Sequence, residues 1–429
     1  MESEHLYMGF SIPLLTTGRR KASSHNEENI ATSVFLGACQ SLVPLRRRNS
    51  HALMKTLDSA DATQAAHGGR LHAAAREFAL PLEQLIDFSA NLNVVAPTVS
   101  EERWANWRKT ISRYPEADSE SVRYRLSQVY GSPTAQILPT AGAIEGLYLA
   151  ARLFTSLRVG IIEPAFSDYF RAFEAAGNSP ECIVLAPTEW GLGPSVFAKR
   201  LDSYDVVVFG NPNNPTGTFY SRRALLDLFG QCPEKTWIVD EAFIEFAEGG
   251  QKESLLRDIP QLPNVLVLRS LTKSWNIPGL RLGFIATSNR KWLSALGKMQ
   301  PPWSIGTVTE AWVNELLTSE DYERVIESTI ELKASKAAFH RSLCADFPEL
   351  LVHPSSANFF LIELCLPGLN AARLYAKLGE QGILIRVCDS FYGMPQGRFI
   401  RVAVRTMAEN QRFLEALRIV LEQIREEAA

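Results

Sequence analysis

The chain has 429 residues, 46% of them apolar, and a formal net charge of −3; that length exceeds what one core usually covers and implies two lobes. No stretch approaches the length of an apolar membrane span, and the Arg and Lys residues form no basic stripe, so neither a membrane nor a nucleic-acid partner is expected. Six cysteines (39, 182, 232, 344, 365 and 388) and seven histidines lack ligand spacing, so no metal site is expected and the cytoplasm is the expected compartment.

Residues 1 to 65 carry two basic clusters, Arg19-Arg20-Lys21 and Arg46-Arg47-Arg48, among polar runs with little periodicity. Three readings fit: a weakly ordered extension, a targeting segment, or translated sequence ahead of a start at Met54. Short, interrupted apolar stretches argue against a secretory signal, and Glu2, Glu4, Glu27 and Glu28 argue against an acid-poor transit peptide. A weakly ordered extension without a catalytic role is expected. Residues 66 to 110 are expected to join the smaller of the two domains.

A large domain is expected over residues 111 to 305. From about residue 135, the runs Val159-Gly160-Ile161-Ile162, Asp205-Val206-Val207-Val208-Phe209, Trp237-Ile238-Val239 and Val265-Leu266-Val267-Leu268 read as buried strands separated by helix-like periodicity. This α/β alternation implies a mainly parallel sheet covered on both faces, with functional residues at strand C-terminal ends and helix N-termini. Cys182 and Cys365 lie in apolar runs and are expected to be buried. Residues 306 to 429 predict a smaller α+β domain. It would contain one charged helical region over about 306 to 345, strands at Phe359-Phe360-Leu361-Ile362, Ile383-Leu384-Ile385-Arg386 and Phe399-Ile400-Arg401-Val402-Ala403, and a final amphipathic helix over about 408 to 426.

Several segments carry chemistry. In Pro139-Thr140-Ala141-Gly142-Ala143-Ile144-Glu145, small residues enter a helix whose first N–H groups can receive a phosphate. Phe166, in Pro164-Ala165-Phe166, can face an aromatic cofactor or fill the core. The turn Asn211-Pro212-Asn213-Asn214-Pro215-Thr216-Gly217 can present Asn214 to a ring oxygen or merely reverse the chain. Asp240 ends a strand, where it can pair with a pyridine nitrogen or cap a helix. Lys273, in Ser270-Leu271-Thr272-Lys273-Ser274-Trp275, is either a loop lysine or a desolvated amine able to condense with an aldehyde. Ser270, Thr272 and Arg281 can surround a phosphate. Arg386 and Arg405 each follow an apolar strand and suit a substrate with two anionic groups, or else form surface ion pairs.

In this order, from about His67 to the C-terminus, these segments resemble the fold type I pyridoxal-phosphate-dependent enzymes. The similarity is to the branch that holds the histidinol-phosphate aminotransferase and threonine-phosphate decarboxylase families. The resemblance implies the PLP-dependent transferase fold, a seven-stranded large domain, and bound pyridoxal 5'-phosphate. It implies Lys273 as the Schiff-base lysine, Asp240 as partner of the pyridine nitrogen, Asn214 at the phenolic oxygen and Phe166 stacked on the ring. Gly142, Ala143, Ile144, Ser270, Thr272 and Arg281 would hold the phosphate, with Tyr114 reaching the phosphate of the neighbouring subunit of a homodimer. Phe243 stands where the superfamily usually has a tyrosine, and Ala143 and Ile144 replace more polar phosphate-loop residues.

His67-Gly68-Gly69, Asp87-Phe88-Ser89-Ala90-Asn91-Leu92-Asn93, Arg113-Tyr114-Pro115-Glu116-Ala117-Asp118, Asp240-Glu241-Ala242-Phe243-Ile244-Glu245-Phe246 and Pro302-Trp303-Ser304 are similar to the threonine-phosphate decarboxylase family. Val94-Val95-Ala96 departs from its usual continuation. This resemblance implies decarboxylation of O-phospho-L-threonine to (R)-1-amino-2-propanol O-phosphate in cobalamin biosynthesis. His67 and Asn91 would sit at the substrate phosphate, Asn214 and Arg386 in the substrate pocket, and Arg405 at the carboxylate. Histidinol-phosphate transamination and decarboxylation of O-phospho-L-serine are the alternatives.

Overall fold

The computed structural model describes residues 68–428; the N-terminal extension and His67 lie outside the described residues. Seven strands form the larger sheet: β1 (Ile137–Thr140), β2 (Val159–Glu163), β3 (Glu181–Val184), β4 (Val206–Gly210), β5 (Thr236–Asp240), β6 (Val265–Ser270) and β7 (Gly283–Ala286). Their order is β1-β7-β6-β5-β4-β2-β3, and β7 runs opposite in direction to the other six. Strand alternation sends Val207, Phe209, Val239, Val265 and Val267 into one core and Val206, Val208, Ile238, Leu266 and Leu268 into another. The sheet is thus buried on both faces, which explains its near-continuous apolar strands. Register places Gly210 beside Asp240 and Asp240 beside Leu268, so the C-terminal ends of β4, β5 and β6 share one edge.

A smaller antiparallel sheet joins β8 (Leu350–Val352), β9 (Phe359–Leu364), β10 (Arg386–Val387) and β11 (Phe399–Ala403) in the order β10-β11-β9-β8. Its apolar face packs on helices α1 (Ser319–Asp346) and α2 (Met407–Ala428) through Phe339, Leu343, Phe413 and Leu417. Ile86–Asp87 pairs in parallel with Ile383–Leu384. No described helix is long and apolar enough to cross a membrane.

Three expectations are corrected. The helical region over 306 to 345 is two helices, Thr307–Leu316 and α1, because extended Thr318 starts a new helix by accepting from the Asp321 N–H at 3.0 Å. The run Ile383–Arg386 serves two sheets, since Ile383–Leu384 pairs with Ile86–Asp87 and Arg386–Val387 with β11. Cys365 is exposed because it lies just past the end of β9, and Cys182 is only half-buried because β3 is a sheet edge.

Candidate active site

The C-terminal ends of β5 and β6 open into a cleft of about 230 Å³. Lys273 lies in the short helix Leu271–Ser274 that follows β6 directly, and lines this cleft. Burial first, then the nearby guanidiniums of Arg401 and Arg281, push its amine down to about 8 against the pull of Asp240 and Asp87. More of it is unprotonated near neutral pH than in an ordinary lysine, as a nucleophilic amine requires. The turn is fastened from behind: the Asn93 N–H donates to the Lys273 carbonyl at 2.9 Å, and the Asn93 amide donates to the Ser274 carbonyl at 2.9 Å and to Ser328 Oγ at 2.8 Å.

Asp240 ends β5 on the same floor. Its Oδ2 accepts from the Tyr169 hydroxyl at 2.8 Å and its Oδ1 from the Ala242 N–H at 2.9 Å. Burial raises its carboxyl above the usual range, while these two donors and Lys273 oppose the rise. Phe166 and Asn214 also line the cleft; Phe166 meets the Tyr169 ring edge-on at 5.8 Å between centroids.

At one end of the floor, helix Ala143–Leu153 begins after Gly142, which has φ +79° and no side-chain cap. A Cβ at Gly142 would stand 2.7 Å from Arg281 Nη2, so the turn and the guanidinium meet only because that residue is glycine. Ala143, Ile144, Ser270, Thr272 and Arg281 line the cleft there. First-turn N–H groups, two hydroxyls and a guanidinium form a donor-rich anion cradle.

The opposite wall comes from distant segments. Gly68, Ser89 and Asn91 meet Arg386, Phe391 and Arg401. Asn91 is 2% exposed, and its Oδ1 has no hydrogen-bond partner among the described residues. Arg386 donates to Ser390 Oγ at 2.5 Å and lies over the Phe391 ring. Arg401, on β11, donates to Asn214 Oδ1 and, at 2.8 Å, to the Ser89 carbonyl. Burial, then the neighbouring Arg386, lowers its guanidinium to about 10.

Arg405 is a correction. Its guanidinium donates to Glu409 at 2.7 Å and to the Asp87 carbonyl at 3.1 Å, and it does not line the cleft. Arg401, one helical-turn's count earlier in sequence but on the strand itself, occupies the cleft instead. Its signal was an arginine inside an apolar run, where only a polar cavity or a buried partner can receive the charge. Tyr169 was also missed; it stands three residues after Phe166, but only the fold brings its hydroxyl to Asp240. Tyr114 is 80% exposed, packs on Trp303 at 4.9 Å, and lies away from the cleft of its own chain.

Residues 83–417 match the family described as aminotransferase class I and II. The chain belongs to this family. It is 32% identical to threonine-phosphate decarboxylase of Salmonella typhimurium over 360 residues, 83% of this chain and 96% of that protein. It is 31% identical to histidinol-phosphate aminotransferase 2 of Pseudomonas fluorescens over 356 residues, 81% of this chain and 92% of that one. The fold is similar to the crystal structure of histidinol-phosphate aminotransferase from Clostridium acetobutylicum, with TM-score 0.71, 26% identity, and coverage of 79% of this chain and 100% of that one. It is likewise similar in fold to L-threonine-O-3-phosphate decarboxylase from Porphyromonas gingivalis, with TM-score 0.67, 24% identity, and coverage of 78% and 99%.

As a member of the class I and II aminotransferases, the chain is a pyridoxal-phosphate-dependent enzyme of fold type I. Its cleft fits that cofactor: the donor cradle beside Gly142, the acid at the end of β5 and the low-affinity amine of Lys273 are three separate groups around one cavity. They match a phosphate, a pyridine nitrogen and an aldehyde in kind.

Proposed function

We propose that the enzyme decarboxylates O-phospho-L-threonine to (R)-1-amino-2-propanol O-phosphate, in cobalamin biosynthesis in the cytoplasm. One observation carries this reading: buried Arg386 and Arg401 line the same cleft as Lys273, which suits a small substrate with two anionic groups. The extensive match to a threonine-phosphate decarboxylase supports it.

In this reading Lys273 is the attachment point, Asp240 meets the pyridine nitrogen, Asn214 the phenolic oxygen, and Phe166 covers the ring. The Gly142–Ile144 turn, Ser270, Thr272 and Arg281 hold the cofactor phosphate. Bound pyridoxal 5'-phosphate supplies an aldehyde that captures the substrate amine and a conjugated ring that accepts the electron pair released at Cα. Arg401 holds the substrate carboxylate, with its second guanidinium edge tied to the Ser89 carbonyl and to Asn214. That grip sets which bond at Cα stands free to break, which selects loss of carbon dioxide over loss of a proton. Arg386 and Asn91, joined by His67, take the substrate phosphate. The Lys273 amine, in the same cleft, would return a proton to Cα.

Tyr114, exposed and remote from its own cleft, completes the cofactor phosphate site of a partner subunit in a homodimer. A second reading, transamination of histidinol phosphate, is supported by the matches to histidinol-phosphate aminotransferases. Preference for O-phospho-L-serine differs by one methyl group, worth about 1–3 kcal/mol in a fitted pocket.

The test is carbon dioxide release from O-phospho-L-threonine by the pyridoxal-phosphate-loaded protein, with Lys273→Ala as the blank. O-phospho-L-serine, and histidinol phosphate with 2-oxoglutarate, are run beside it. Release from phosphothreonine that vanishes in the blank is expected. No release from either phosphoamino acid, with glutamate formed in the third reaction, would make the enzyme an aminotransferase.

A further inference from the structure

On the floor of the cleft, the Tyr169 phenol meets Asp240. Its ring is 2% exposed, its hydroxyl donates to Asp240 Oδ2 at 2.8 Å, and its ring edge meets Phe166. The hydroxyl is given room by Gly210 at the end of β4, where a Cβ would stand only 3.0 Å from it. Glu163, at the end of β2, is 2% exposed. The Glu163 carboxylate accepts from the Ala165 N–H, one residue before Phe166. A third link ties the two loops above: the Asn213 amide donates to the Pro164 carbonyl at 2.8 Å and to Thr216 Oγ1 at 2.8 Å. Tyr169 therefore touches the acid beneath the ring position and the aromatic that covers it.

We propose that Tyr169 is the positioning residue that keeps Asp240 an acceptor for the protonated pyridine nitrogen rather than the holder of that proton. This rests on the reading that Asp240 meets that nitrogen. A buried carboxylate left with the Ala242 N–H as its remaining hydrogen-bond donor would compete for the ring proton; a phenol donating to its second oxygen makes it a weaker base. The other charged groups acting on Asp240 are Lys273 and Arg269, and both favour the ionised acid. Glu163 does not oppose them, since burial pushes its carboxyl up to about 8 and leaves it uncharged near neutral pH. The phenol itself stays protonated, because burial and then Asp240 raise it well above its ordinary value. The proton on Tyr169 is therefore fixed, and it points at Asp240.

The experiment uses the full-length holoenzyme loaded with pyridoxal 5'-phosphate isotopically labelled at the ring nitrogen. Its NMR shift is compared among the wild type, Tyr169→Phe, Glu163→Gln and Asp240→Asn. Tyr169→Phe preserves the ring volume, and visible circular dichroism of the bound cofactor checks that the pocket is intact. The proposal expects Tyr169→Phe to move the nitrogen part of the way toward the neutral-pyridine shift, with kcat falling more than KM rises, and Asp240→Asn to move it the whole way. Glu163→Gln keeps a neutral side chain and should leave the shift near the wild-type value. If Asp240→Asn moves the nitrogen and Tyr169→Phe leaves it unchanged, Tyr169 has no such role. If neither variant moves it, Asp240 does not meet the ring nitrogen, and the reading beneath the proposal falls with it.

Discussion

The two walls of the cleft are built in different ways. The floor is made by adjacent strand ends, with Asp240 closing β5 and Ser270 closing β6, and Lys273 three residues further on. Their sequence neighbours point the other way: Glu241 and Arg269 meet behind the floor with Glu245, all at most 1% exposed. There Arg269 donates to Glu241 at 3.3 Å, to Gln251 at 2.9 Å, to Ser254 at 3.1 Å and to Glu245, and it lies over the Tyr130 ring. The opposite wall is framed by the smaller sheet: Arg386 and Arg401 stand directly opposite each other on β10 and β11, while Asn91 comes from a separate segment held by backbone contacts such as Ala403 N–H to the Phe88 carbonyl at 2.8 Å. The floor is therefore braced by a buried ion cluster of the larger sheet, whereas the wall is carried by the smaller sheet.

Substitutions can break this comparison. On the floor, Lys273→Ala should lower turnover at least about a thousandfold, because it removes both the attachment point and the proton donor. Borohydride reduction should then fix no cofactor to the protein, and retained turnover would remove Lys273 from its assigned role. Behind the floor, Arg269→Met leaves two buried carboxylates without their cation and should cost about 3–5 kcal/mol in urea unfolding. A loss near zero would mean that the cluster does not brace the strand ends.

On the wall, Arg401→Lys should raise KM roughly 10- to 100-fold with little change in unfolding, because one bidentate donor becomes a point charge. Arg405→Lys should change KM less than about threefold, since its guanidinium bonds Glu409 outside the cleft. Equal effects from the two would contradict the separation of their roles.

A further effect tests the same contrast through pH. Glu163 is raised on folding from 4.5 to about 8, so between these values the folded chain holds a proton that the unfolded chain has lost. Its contribution to stability is therefore greatest below the unfolded value and declines as pH rises toward about 8. Glu163→Gln should flatten the decline in thermal stability across that window. An unchanged slope would show that Glu163 is not held neutral by the fold.

The legibility of the site follows the same division. Lys273, Asp240, Asn214 and the Gly142 turn could be read because each lies in a short segment at a strand end or helix start, where local chemistry and position agree. The strand pattern was legible for the same reason: burial on both faces leaves long apolar runs. Arg401 was overlooked because its own strand hides it among apolar residues, and only pairing with Arg386 on β10 and the approach of Ser89 and Asn214 make its environment polar. Arg405 looked equally suitable in sequence, but its neighbour one turn into the next helix, Glu409, captures it. Tyr169 acquires its partner through the parallel packing of β2, β4 and β5, a relation no local spacing encodes.

The most direct test of the proposed chemistry is to add O-phospho-L-threonine to the cofactor-loaded enzyme with no keto acid present, and to count carbon dioxide per active site while following the bound cofactor's absorbance. Decarboxylation predicts many equivalents of carbon dioxide and a return of the starting visible band when substrate is exhausted. Conversion of one equivalent of cofactor to its amine form, with the visible band lost and no carbon dioxide released, would contradict the account and identify transamination.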